Sequence, residues 1–202
     1  MIFVIVPLGK AASQVVHWIV QVAIYVAAST VGGALVGLLL GAVGRGLYLV
    51  VPGPTRVWPV LIIGALALLY ALHEARIVRL PQPERAWQVP NGWIRRWPFL
   101  GAAMFGVILG TGLFTFIPFT SFYVLLAWEL GTGSLRIGLV LGAAYGFVRG
   151  FAAVAGGLLV LTGHHPLDFN VWLMEHVPAI HRLTSGVLLG VAAFLFAILF
   201  KT

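Results

Sequence analysis

The stretch from Ala12 to Val51 is apolar almost without relief, and it is too long to cross a bilayer once as a straight helix. At 1.5 Å per residue it would measure roughly 60 Å, about twice the hydrocarbon core. Such a segment must either tilt and protrude or fold back. Gly32-Gly33, preceded by Ser29-Thr30, is the cheapest point for a tight return, because glycine reaches backbone conformations closed to other residues. The favoured reading is two helices, near 13–31 and 34–51, followed by a turn at Pro52-Gly53-Pro54.

Composition excludes a water-soluble domain. Of 202 residues, 61% are hydrophobic and 8% charged, and the mean hydropathy is +1.06. That leaves far too little charge for a solvated surface. The chain is expected to be an all-α, polytopic membrane helical bundle in contact with the lipid bilayer. Its formal charge of +7 marks cytoplasmic loops, since Lys and Arg resist translocation. No long basic soluble segment exists, so no nucleic acid is expected as a partner. The absence of cysteine excludes disulfides, thiolate metal sites and thiol redox chemistry by this chain. The start, MIFVIVPLGK, lacks a basic lead and a cleavage site and reads as mature protein rather than a signal peptide. The expected location is a prokaryotic plasma (inner) membrane, crossed several times.

Further spans follow near 57–72, 98–130, 135–161 and 183–200. The apolar region 98–130 is again overlong and is interrupted at Pro118. The stretch 73–97, with five arginines, two glutamates and three prolines, reads as a cytoplasmic loop. The segment 163–182 reads as an interfacial helix that Asp168 can cap. Six spans result if the first region folds back and five if it does not; charge bias fits both.

The sequences GLLLGAVGRG (Gly37 to Gly46) and GLVLGAAYGFVRG (Gly138 to Gly150) both read Gly-Leu-apolar-Leu-Gly-Ala and both end in Arg-Gly. Each follows hydroxyls beside a helix breaker. One explanation is chance likeness among glycine-rich membrane helices, whose small residues allow close packing. The other is a 3+3 inverted repeat with broken helices 1 and 4. The halves would then be 1–80 and 98–202, joined by the Arg-rich cytoplasmic loop 81–97. In layout this arrangement resembles the transmembrane domain of the CcdA/DsbD thiol–disulfide transporters and the wider LysE-type transporter superfamily. The resemblance implies a fold. It carries over no redox residue: the second half keeps Pro118, but neither half has a cysteine.

Pro118 removes a backbone donor and leaves a helix carbonyl unpaired. Thr115, Thr120 and Ser121 stand where they can satisfy the freed groups. The same residues, with Ser29 and Thr30 in the first half, can instead line a central ligand site at half-helix ends. Arg149 sits deep in the fifth span, where a guanidinium needs protein, water or a partner charge. It is read as neutralising an anionic ligand or pairing with Glu129. Arg45, its counterpart in the repeat, lies close enough to a span end to snorkel. The histidines at 164, 165, 176 and 181 lack the helical spacing of a metal site, and His17 and His73 sit at opposite ends of the chain's spans. No metal, haem or other cofactor is expected. No catalytic constellation appears either, so an enzyme is not expected.

Two functions follow from these residues. The first is a transporter-like protein for a small anion or polar solute, resting on Pro118, Ser29-Thr30 and Arg149. The second is a non-catalytic integral subunit or scaffold, with a protein partner in a membrane complex or a second copy of the chain. Small size and a glycine-rich interior suit the second reading.

Overall fold

The computed structural model describes residues 12–50, 57–80, 97–112, 120–161 and 166–200. Among these the protein forms six helices and no strand: α1 (Ala12–Val50), α2 (Val57–Glu74), α3 (Pro98–Thr111), α4 (Ser121–Thr132), α5 (Leu135–Leu161) and α6 (Pro166–Leu199). Three described stretches are long and apolar enough to cross a membrane: Val16–Val50, Val57–Glu74 and Met174–Leu199. Large apolar side chains such as Leu39, Val140, Phe147, Val187 and Phe194 stand exposed along the helices. In lipid that exposure carries no penalty, because acyl chains are as apolar as the side chains they touch.

Local chemistry explains several boundaries. Pro98 opens α3, where its missing N–H is an orphan in any case. Gly112 closes that helix in the left-handed region (φ 68°), with its N–H on the Leu109 carbonyl at 3.1 Å. Gly133 does the same for α4 (φ 56°). The Ser134 hydroxyl then receives the Ile137 N–H as α5 begins. The apolar region from Pro98 onward is thus divided into α3 and α4; Pro118 itself lies outside the described residues.

The first helix corrects the sequence expectation. α1 runs unbroken through Ser29-Thr30 and Gly32-Gly33 for 39 residues, so there is no return there and helix 1 is not broken. Those glycines serve packing. A Cβ on Gly32 would lie 2.6 Å from the Val107 carbonyl oxygen, and one on Gly33 would strike the Gly142 carbonyl. A second correction concerns 163–182 and 183–200, which form one helix, α6, with Pro178 inside it. Proline there removes a single ladder bond, a loss membrane helices tolerate when neighbouring groups absorb it.

Two compact units divide the chain: residues 1–36, 85–116 and 142–174 form the first, and residues 37–84, 117–141 and 175–202 the second. In the first, the start of α1 is held by α3 and by the later part of α5. Tyr25 stacks on Phe105 with ring centroids 5.6 Å apart. Gly106 and Gly110 let α3 reach the Tyr25 and Ser29 carbonyls, and Gly146 lets α5 reach Ser29 from another direction. The buried Ser29 hydroxyl donates to the Gly146 carbonyl at 2.7 Å.

In the second unit, Ile63, Ala67 and Ala71 of α2 lie at helical spacing and pack with Val124 of α4 and Leu188, Ala192 and Leu195 of α6. The Ser185 hydroxyl donates to the Ala71 carbonyl at 2.9 Å. The later part of α1 meets α4 and α5 through Gly37 on Gly138, Gly41 on Ser134 and Gly44 on Leu130. Tyr48 donates from its hydroxyl to the Gly131 carbonyl. The first glycines of the two similar motifs, Gly37 and Gly138, therefore touch each other.

Candidate functional site

The second unit holds a buried carboxylate with a full set of partners. Glu74 closes α2 and is 3% exposed. Its Oε1 accepts from the Thr120 backbone N–H at 2.8 Å and from the Thr120 hydroxyl at 2.6 Å. Its Oε2 is joined to His181 Nδ1 of α6. A buried carboxylate without such partners would cost several kcal/mol or neutralise itself. Three elements distant in sequence thus converge on one side chain: the end of α2, the residue ahead of α4, and α6.

Beyond Glu74 the chain turns sharply. Arg76 adopts φ 60°, and the Arg76 and Ile77 N–H groups return to the His73 and Leu72 carbonyls at 2.8 and 2.9 Å. This closes the carbonyls that α2 leaves open at its end. The Leu80 N–H comes back to His73 Nδ1 at 2.9 Å, so His73 braces the turn. Between the turn and α6 lies a cavity of about 510 Å³ lined by His73, Glu74, Arg76, Val78, Arg79, Leu80 and His181. Its wall combines one partnered carboxylate, two imidazoles, two guanidiniums and two aliphatic side chains. That set can hold an anion and offers apolar surface beside the charge.

The residues singled out in the sequence are spread over both units. Thr115 and Pro118 lie outside the described residues. Thr120 is fully buried and is the partner of Glu74; Ser121 is half-buried as the first residue of α4. Ser29 is fully buried against α5, while the Thr30 hydroxyl donates to the Val26 carbonyl of its own helix at 2.8 Å. Arg45 is exposed. Glu129 is 1% exposed, and its Oε1 makes no hydrogen bond among the described residues. It lies where a Cβ on Gly37 would come within 3.1 Å. Arg149 belongs to the first unit and Glu129 to the second. Arg149 donates to the Tyr145 hydroxyl at 2.5 Å, with its guanidinium 5.7 Å from that ring's centre.

Sequence reasoning missed the Glu74 cluster. It set His73 and Glu74 within a polar loop and weighed His181 only as a metal ligand. The available signal was a carboxylate closing one apolar run and a histidine leading into another.

Fold and site together define an all-helical membrane protein with a partnered buried carboxylate at the end of a membrane-crossing helix. No protein-family profile matches the chain, and no solved structure is significantly similar to it. Among curated proteins it is similar to the methylamine utilization protein MauF of Paracoccus versutus, 26% identical over 190 residues, covering 93% of this chain and 66% of that one. The MauF proteins of Paracoccus denitrificans and Methylorubrum extorquens are 26% and 28% identical over 171 and 174 residues, covering 84% of this chain and 59% and 58% of theirs. The chain thus spans less than two thirds of the length of the curated relatives it matches. These relatives overturn the expectation of a solute carrier: their names attach them to methylamine utilization, and none names transport.

Proposed function

We propose that the chain is a non-enzymatic membrane protein that supports the utilization of methylamine by a bacterium. The observation that carries this reading is the similarity to MauF, which extends over 93% of the chain. It is thus not confined to one apolar helix, where composition alone produces likeness. The reading includes a multi-pass location in the plasma membrane and a protein partner or second copy in that membrane. No catalytic role is assigned to the Glu74 cluster. Its work is to tie α2, α4 and α6 at one end of the second unit.

Deletion of the gene followed by growth on methylamine tests the proposal. The deletion strain should fail with methylamine as sole carbon or nitrogen source, grow normally on an unrelated source, and recover when the gene is restored. Normal growth of the deletion strain on methylamine would remove the basis for the proposal.

A further inference from the structure

We propose that the cavity beside Glu74 binds a phosphate-bearing anion, most readily the headgroup of an acidic phospholipid. The proposal stands independently of the role in methylamine utilization. The cavity, about 510 Å³, is lined by Arg76 and Arg79 together with His73 and His181. Glu74 is the one acidic residue on the described lining, and both its oxygens are engaged, Oε1 by Thr120 and Oε2 by His181. Neither arginine forms an ion pair with it among the described residues. Two guanidiniums therefore face a cavity whose only described carboxylate is occupied. Guanidinium is the side chain best matched to a phosphate, through its planar fork of donors.

Position argues for a lipid. The cavity opens where the membrane-crossing stretch Val57–Glu74 ends and a short way into the stretch Met174–Leu199. Basic residues at such a border meet headgroups, and each contributes about 1 kcal/mol of attraction to an anionic surface. Val78 and Leu80 on the same wall offer apolar surface that a free phosphate would not use and the acyl chains of a phospholipid would. The turn that presents the arginines is built into the fold: Arg76 holds φ 60°, and the loop closes on His73 through the Leu80 N–H. The competing account is that the arginines only complement the negative end of α2, which predicts a stability effect and no binding.

The test uses the full chain in phosphatidylcholine nanodiscs, titrated separately with fluorescent phosphatidylglycerol and with inorganic phosphate. The variants are Arg79→Gln, whose exposed side chain makes no described hydrogen bond, and Arg76→Asn, since asparagine tolerates positive φ. Wild type should bind phosphatidylglycerol saturably, and each variant should bind about fivefold more weakly. Higher salt should weaken binding in wild type more than in the variants. The same pattern with phosphate but not with the lipid would support the anion site and assign it to a free anion. Equal binding by wild type and variants, or binding of neither probe, would overturn the proposal. Should Arg76→Asn fail to fold, Arg79→Gln alone decides.

Discussion

Gly37 of α1 and Gly138 of α5 meet backbone to backbone: a Cβ on either would collide with the other's carbonyl oxygen. The contact repeats along the second unit at Gly41 and Gly44, each against the backbone of the segment around Ser134 or Leu130. Small residues let membrane helices approach until van der Waals contact between backbones becomes the main source of affinity. Glycine in these helices is a packing residue.

Gly138→Ala should therefore lower stability by about 1–3 kcal/mol, the usual cost of overpacking a filled interface. Gly186→Ala and Gly190→Ala in α6, where a Cβ would meet nothing within 4 Å, should be neutral or stabilise by roughly 0.5–1 kcal/mol through helix propensity. Unfolding in mixed detergent micelles distinguishes the two classes. Equal effects at all three positions would refute the packing account.

Thr120→Val keeps the shape of the side chain and removes the hydroxyl that Glu74 Oε1 accepts from at 2.6 Å. The buried carboxylate loses one of its donors, at an expected cost of about 1–3 kcal/mol. A double-mutant cycle with Glu74→Gln should show coupling between the two positions, and additive effects would mean that the contact contributes nothing.

Ser29→Ala removes the donor to the Gly146 carbonyl. Hydrogen bonds between membrane helices average about 0.6 kcal/mol, so the loss should be small. Ser29→Leu should do far more damage, because α3 and α5 both approach Ser29 at glycines, Gly110 and Gly146. The comparison of the two unfolding midpoints separates hydrogen bonding from close packing.

On the proposed role in methylamine utilization, Arg149→Leu should abolish restoration of growth on methylamine by the gene, while Tyr145→Phe, which removes only the hydroxyl receiving the guanidinium at 2.5 Å, should leave partial growth. A leucine variant that restores growth fully would reduce Arg149 to a helix-packing residue.

How far the site was legible depends on the residue. Thr120 was visible as a hydroxyl beside a helix breaker, and it is buried in the cluster. Its partner could not be read, because Glu74 lies 46 positions away and His181 lies 107 from Glu74; local spacing says nothing about such pairs. Gly32-Gly33 misled for a related reason. Glycine permits a turn and permits close approach, and only the presence of Val107, Gly142 and Gly146 beside it decides between them.

By itself the sequence determined a helical membrane protein: the apolar runs are long enough to cross a bilayer as helices, which satisfy their backbone hydrogen bonds within the segment. It also placed the helix start at Pro98. Only the tertiary structure decided that α1 continues through its glycines and that α6 continues through Pro178. Both depend on what packs against the helix, and that surface is assembled from segments far apart in the chain. The same reason explains the Glu74 cluster: a buried charge is stable only where folding delivers its partners.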